Sequence, residues 1–201
     1  MNVRLEAFCD GVFAIALTLL IIDIRIPSTA SIHTTHEFWM ALKDLSPSIL
    51  AFLLSFIVIF IAWVNHHAIL KLVHKSSLYF IYANGLLLLT VVVVPFPTSL
   101  VGEFILTDHA TPAVVLYSSV FAIQALAWKL IGRTALSRNN LLTKNDKAAA
   151  ALKNTTSKSY SAFALYSVCA ILAIWFPLTT AIVVGLTWIA WLIVGINVRE
   201  E

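Results

Sequence analysis

The chain has 201 residues, 60% hydrophobic and only 11% charged, and its mean hydropathy is +0.92. A soluble domain carries about 25% charged residues. The composition therefore excludes a soluble globular domain and predicts an all-α protein that crosses a lipid bilayer several times. The formal net charge is +3, but the basic residues lie between hydrophobic segments. In that position they are typical of topology signals, and no nucleic-acid partner is expected.

Proline residues mark several boundaries of the predicted helices. The first helix stops at Pro27, and the second opens at Ser46 and Pro47, a cap residue followed by a proline in the first turn. Pro95 is predicted to end the third helix, because proline cannot continue the hydrogen-bond ladder. We predict a single domain, residues 1–201, with six transmembrane helices over residues 3–26, 47–73, 77–95, 111–136, 159–176 and 179–198.

Two segments between these helices are not predicted to cross the bilayer. Phe38, Trp39 and Leu42 indicate a short segment at the membrane interface. Residues 137–158 are polar and basic and are predicted to form a cytoplasmic loop, partly helical at the surface. Eleven of the 13 Lys and Arg residues fall on the same side of the six spans as this loop. Because cytoplasmic loops are enriched in Lys and Arg, both termini are expected to be cytoplasmic.

Ionisable side chains inside a membrane span are costly, roughly 2.5–3.5 kcal/mol each at the helix centre. Asp23 and Arg25 lie near the outer end of the first helix and can reach water. Arg4 and Asp10 are six residues apart, which is about 240° round the helix axis, so they cannot pair along one face. We therefore expect their partners on other helices.

The second predicted helix carries a dense polar cluster made of Trp63, Asn65, His66 and His67. Asp10 lies at the matching depth, so a polar network between the first two helices is the favoured interpretation. The alternative is a metal or proton site. Adjacent histidines point in different directions, however, and no histidine at i+4 completes a metal-binding face, so no metal is expected. Asn84 in the third helix is interpreted in the same structural way.

One side of the first helix carries a mostly apolar stripe. Asp10 lies on the other side of this helix. Such a stripe is normally a packing seam, but apolar rings can also gate a pore by dewetting or by closure. At about 100° per residue, the stripe consists of Gly11, Ile15, Thr18, Leu19, Ile22 and Ile26.

The first helix resembles the signature of the prokaryotic transmembrane protein 175 family of potassium channels. The family pattern is Arg, three variable residues, then Phe-Ser-Asp, and here Arg4 is followed by Phe8, Cys9 and Asp10. Cys9 thus replaces the serine of the pattern. The segment from Trp63 to His67 and the six-span layout are also similar to this family, so the resemblance covers the whole chain.

The resemblance implies a homotetramer whose first helices line a central pore. Ile15, five residues after the motif aspartate, matches the narrowest ring of the family. Leu19 and Ile22 would continue the apolar constriction, and Thr18 would add a polar pore position. No segment of the chain is similar to the TVGYG filter of ordinary potassium channels.

The resemblance also implies roles for the polar residues and a cellular setting. Arg4 and Asp10 would be tied to Trp63 and to His66 or His67, without a choice between the two histidines. The implied function is a channel moderately selective for potassium over sodium, with potassium as the permeant ion and no cofactor. The implied location is the plasma membrane of a prokaryote, within the lipid bilayer.

Two other classes of function remain open from the residues alone. The first is a proton- or ion-coupled secondary transporter that uses Asp10 with His66 or His67 as a relay. Transporters usually have inverted repeats and helices broken near the midplane, and neither pattern is evident here. The second is an intramembrane enzyme, but no nucleophile or metalloprotease motif accompanies these residues. The sequence therefore favours a channel over a transporter and predicts no enzymatic activity.

Overall fold

The structure, a computed structural model, describes residues 3–25, 27–28, 32–137 and 143–197. Within these residues the chain is all-helical, apart from turns, short connections and an isolated antiparallel bridge between Val73 and Thr143. Helix α1 continues into a 3-10 turn over Leu20–Asp23. The helices are α1 (Val3–Leu19), α2 (Thr35–Asp44), α3 (Ser46–Leu72), α4 (Leu78–Val93), α5 (Pro95–Phe104), α6 (Ala110–Ala135), α7 (Asp146–Leu172) and α8 (Pro177–Asn197).

Several helical segments of the described chain match the thickness of a bilayer, for which about 20 apolar residues are needed. The predicted spans 159–176 and 179–198 fall on α7 and α8, where the apolar helical segment Pro177–Ile189 is shorter than that length. Four segments are long and apolar enough to cross by length and composition, namely Val3–Ile22, Ser46–Leu72, Leu78–Phe104 and Ala110–Ala135.

The predicted end of the third span at Pro95 is wrong. Val94 has helical backbone angles, φ −47° and ψ −41°, and Pro95 begins α5 directly behind α4. The first turn of a helix needs no backbone N–H from proline, so Pro95 starts a new helix instead of ending one. The Thr98 hydroxyl donates to the Val94 carbonyl at 2.8 Å across this joint, and the apolar segment therefore extends to Phe104.

The predicted loop over residues 137–158 is also wrong for most of its length, because α7 begins at Asp146. The Asn145 side chain accepts a hydrogen bond from the Ala148 backbone N–H at 2.8 Å and caps the helix. An alanine run follows, and alanine is the strongest helix former. The lysines of this segment thus lie on a helix rather than on a loop. Residues 138–142 of the predicted loop lie outside the described residues.

The remaining boundaries differ by smaller amounts. The first span is α-helical to Leu19 and 3-10 to Asp23, while its predicted last residue, Ile26, lies outside the described residues. The last span runs to Asn197, and residue 198 of the prediction is again outside them. The predicted short segment around Trp39 is helix α2, which Thr34 and Glu37 begin with a reciprocal pair of backbone-to-side-chain hydrogen bonds at 3.1 Å each.

The largest packed group lies where α6 meets α7 and α8. The Phe121 ring is fully buried, and it meets Trp188 edge-on at 4.4 Å and Tyr117 edge-on at 4.7 Å between ring centroids. Further along the same pair of helices, Gly132 of α6 lies against Thr156 of α7. Both residues are buried, so α6 and α7 pack with almost no space between their backbones at this point.

We expect Gly132→Ala to destabilise the fold. A Cβ atom at this position would lie 1.9 Å from the Thr156 Oγ1 and 3.0 Å from its Cβ, so a different Thr156 rotamer does not remove the overlap. Overpacking of this kind costs roughly 1–3 kcal/mol. The measurement is the melting temperature of the protein in detergent. Gly85→Ala is the matched control, because nothing lies within 4 Å of its added Cβ. Equal melting temperatures for the two variants would contradict the tight α6–α7 contact.

Candidate functional site

Helix α1 packs on the rest of the subunit through one face. Cys9, Phe13 and Leu20 are buried, and positions four and eleven residues apart lie on the same side of a helix. This face packs against α3 and α4. Because the buried residues are apolar and form a single strip, one side of α1 remains uncovered by its own subunit.

The uncovered side of α1 is the apolar stripe described from the sequence. Ile15, Leu19 and Ile22 are 59%, 53% and 69% exposed, although each is a large apolar residue. Gly11 and Thr18 on the same side are exposed as well, and a Cβ added at Gly11 would meet nothing within 4 Å. The sixth residue of the stripe, Ile26, lies outside the described residues. An apolar surface of this length needs lipid, a second subunit or a closed pore against it.

The Thr18 hydroxyl is oriented by its own helix. Its Oγ1 donates to the carbonyl of Ala14 at 2.9 Å or to that of Ile15 at 3.1 Å. A hydroxyl has one proton and two lone pairs. The proton is therefore directed to the backbone, and the oxygen lone pairs remain available on the exposed side of the helix.

Two polar pairs connect α1 to α3. The Trp63 indole Nε1 donates to the Asp10 Oδ1 at 2.9 Å. One turn further towards the N-terminus, the Glu6 Oε1 lies 3.6 Å from the His67 Nδ1, which makes an ion pair when the imidazole is protonated. Glu6 and Asp10 are four residues apart, as are Trp63 and His67, so the two pairs form successive rungs between antiparallel helices.

His66 faces a different neighbour from His67. Its Nε2 shares a hydrogen bond of 2.7 Å with the Asn84 Oδ1 on α4, while the Asn84 Nδ2 donates to the Phe80 carbonyl at 2.7 Å. The His66 ring is fully buried and packs against Phe13 of α1, with 5.5 Å between centroids. Of the two histidines, His67 therefore faces a carboxylate of α1, and His66 joins α3 to α4.

Arg4 is separate from these pairs. Its side chain is exposed, and within the described residues it takes part in no hydrogen bond or ion pair. The structure does not bring Arg4 to Trp63, His66 or His67 within one subunit. Its position gives the reason: Arg4 is eleven residues, or three full turns, before Ile15, so it lies on the exposed stripe while Asp10 faces α3.

Glu6 is the contact residue that the sequence reasoning missed. The signal was present, because Glu6 precedes Asp10 by four residues and therefore lies on the same side of α1. Within the described residues, no group of three or more His, Cys, Asp or Glu side chains is placed to hold a metal ion. The side chains of this site are thus arranged in pairs between helices.

Comparison with known proteins identifies the family. Residues 4–95, which include α1, α3 and α4, match the family model described as endosomal/lysosomal potassium channel TMEM175. A potassium channel of Chamaesiphon minutus is 39% identical over 191 residues, covering 87% of this chain and 93% of the relative. The chain belongs to the TMEM175 family. The resemblance proposed from the motif around Asp10 is therefore confirmed.

Two further comparisons agree with the TMEM175 assignment. A potassium channel of Streptomyces collinus is 41% identical over 129 residues, which are 64% of this chain and 61% of that protein. The crystal structure of a lysosomal potassium-selective channel TMEM175 homologue from Chamaesiphon minutus superposes with a TM-score of 0.77 at 34% identity, and covers 95% of this chain and 97% of that one. The TMEM175 relatives are ion channels and not enzymes, which removes the intramembrane enzyme as a class.

We expect the Asp10–Trp63 hydrogen bond to contribute measurably to stability. Trp63→Phe removes the donor and leaves the carboxylate of Asp10 without its partner, at a cost of about 1–2 kcal/mol. Asp10→Asn retains a carbonyl acceptor and serves as the mild control. The measurement is a double-mutant cycle of Trp63→Phe and Asp10→Ala on the melting free energy in detergent. Strictly additive effects would show that the two side chains do not interact.

Proposed function

We propose that this TMEM175 protein is a potassium-selective cation channel, built as a homotetramer in which α1 lines the central pore. The constriction and gate are rings of apolar side chains at Ile15, Leu19 and Ile22. The observation that carries the proposal is the two-sided character of α1. One face packs on α3 and α4, and the other exposes these three residues at 53–69%.

A single α1 cannot enclose a path, whereas copies of it around a symmetry axis can. Ile15, Leu19 and Ile22 follow one another by four and three residues, so each lies about one turn, or roughly 5.4 Å, beyond the last. Four copies would place three successive apolar rings along the axis. Closed rings of this kind exclude a hydrated ion without any charged group.

Thr18 supplies the polar position between these rings. Its proton is directed to the backbone carbonyls of α1, so its oxygen lone pairs are available to a cation. Selectivity then follows from the cost of partial dehydration at the constriction. Potassium holds its water less tightly than sodium, and therefore passes more easily, though with less discrimination than a carbonyl-lined filter provides.

The contacts of α1 with α3 determine what opening requires. In the arrangement described, the Asp10–Trp63 hydrogen bond and the Glu6–His67 pair fix the rotation of α1 about its axis. Widening the rings needs a tilt or rotation of α1. Such a movement has to lengthen or exchange these two polar contacts, which makes them part of the gating energy.

The proposed setting is the plasma membrane of a prokaryote, with six spans per subunit and both termini cytoplasmic. The asymmetry of Lys and Arg supports this orientation. The antiparallel course of α1 and α3 supports it as well, since the two rungs between them need opposite directions of travel. On the outer side, exposed Glu37 and Glu103 are placed to raise the cation concentration at the pore mouth.

A coupled transporter is the second candidate, and one observation favours it. Glu6, His67 and Asp10 form a short row of titratable groups, and the His67 Nδ1 has no hydrogen-bond partner in the described residues. A proton relay uses groups of this kind. The two functions differ in what drives potassium flux, so a flux assay separates them.

The first test is potassium and sodium flux in liposomes that contain the purified protein. We expect fast downhill potassium flux without a second gradient, and a several-fold change in rate or selectivity for Ile15→Asn, because the ring at the constriction becomes polar. Leu89→Asn is the matched control, since Leu89 is 60% exposed on α4 rather than on α1. Flux that requires a proton or second-ion gradient and ignores Ile15 would favour the transporter.

A second test asks whether the stripe faces a shared axis. Ile22→Cys would place several thiols around the pore, and thiolates bind soft divalent metals such as Cd²⁺. We expect Cd²⁺ to block at least nine-tenths of the flux through this variant, and a chelator to restore it. The native Cys9 and Cys169 are buried, so the parent protein should not respond. An Ile22→Cys protein as resistant to Cd²⁺ as Leu89→Cys would place the stripe against lipid.

A further inference from the structure

A cavity of about 520 Å³ lies between α3, α6, α7 and α8. Its volume is in the range of about 300–1,000 Å³ that is usual for ligand sites. No residue of α1 lines it, so it is separate from the proposed pore wall. Its length follows from α3, where the lining residues extend from Ile61 to Lys71, ten residues or roughly 15 Å along the axis.

One end of the cavity is basic. The side chains that line it include four lysines and no acidic residue among the described residues. Lys71 ends α3, and Lys144 and Lys147 flank the start of α7, where all three are exposed. Lys158, eleven residues beyond Lys147 on α7, carries positive charge about 16 Å further along the same wall. An anionic group at this end would meet ammonium groups on two sides.

The other end of the cavity is apolar and aromatic. It is lined by Phe121 and Trp128 of α6, Tyr166 of α7 and Trp191 of α8. Gln124 lies between these rings, only 4% exposed, and its Nε2 has no hydrogen-bond partner in the described residues. Leaving a buried amide donor unpaired costs about 1–3 kcal/mol. A ligand with a carbonyl oxygen between a charged head and an apolar tail would accept this hydrogen bond.

We propose that this cavity is a binding site for an anionic phospholipid. The phosphate lies among Lys71, Lys144 and Lys158, an ester carbonyl accepts from the Gln124 amide, and an acyl chain lies along the aromatic end. A zwitterionic lipid fits less well, because its own ammonium group meets the lysines. A free phosphate ion fits less well too, because it leaves the aromatic end and the Gln124 amide without a partner.

The test is lipid binding to the intact, delipidated protein in detergent, measured by native mass spectrometry and by the shift in melting temperature. The probes are phosphatidylglycerol, phosphatidylcholine with the same chains, and inorganic phosphate. We expect phosphatidylglycerol to bind at least tenfold more tightly than phosphatidylcholine, and to lose that advantage in the double variant Lys71→Gln/Lys158→Gln. The control is Lys75→Gln/Lys153→Gln, which has the same net charge and changes two exposed lysines that do not line the cavity.

A third variant tests the apolar end without changing charge. Gln124→Leu removes the unpaired donor and should weaken phosphatidylglycerol binding several-fold while raising the melting temperature of the lipid-free protein. Equal loss in the two lysine double variants would mean that only overall surface charge attracts the lipid, and would overturn the proposal. Stabilisation by inorganic phosphate equal to that by phosphatidylglycerol would overturn it as well, since it would identify a site for a free anion. Neither result depends on whether the protein conducts potassium.

Discussion

The hydrogen bond from the Trp63 indole to the Asp10 carboxylate, 2.9 Å long, sets the rotation of α1 in the subunit. Successive residues of a helix are about 100° apart, so a shift of one position would turn the stripe with Ile15 away from its present direction. Apolar packing alone does not define rotation sharply, because α1 is apolar nearly all round. A polar pair inside a membrane has few alternative partners, and it therefore selects one rotation out of several of similar packing energy.

The same constraint explains why the polar contacts of α1 form two rungs rather than a cluster. Each charged group in a span needs a partner of its own, since the surrounding hydrocarbon offers none. Glu6 and Asp10 take His67 and Trp63, one turn apart on each helix. Arg4, three turns before Ile15, cannot reach α3 once Asp10 does, and it faces the same side as the exposed stripe. In a ring of subunits this places a positive charge near the end of the pore helix or against a neighbouring copy.

The features that could be predicted from the sequence are those encoded by short spacings. The apolar runs indicated a helical membrane protein, and the spacing of Arg4, Phe8 and Asp10 indicated the family. The contact of α1 with α3 followed from the depth of Asp10 and of the cluster at Trp63. Pro95 was misjudged because proline both ends and begins helices, and only the backbone of Val94 decides between the two. The helix from Asp146 was missed because lysines were taken as the sign of a loop, although the alanines between them favour a helix.

The cavity was beyond sequence reasoning, because its lining comes from four helices and depends on how they pack. Its relation to the pore helix depends on α3, which contributes to both. Trp63 and His67 lie on one face of α3, towards α1, while Asn65, Ala68 and Leu72 lie on the opposite face and line the cavity. A helix moves as a rigid element over such a distance, so a displacement of α3 that widens the cavity also moves the partners of Glu6 and Asp10. The two sites are thus mechanically joined by α3, and the energy of filling one of them enters the energy of moving α1.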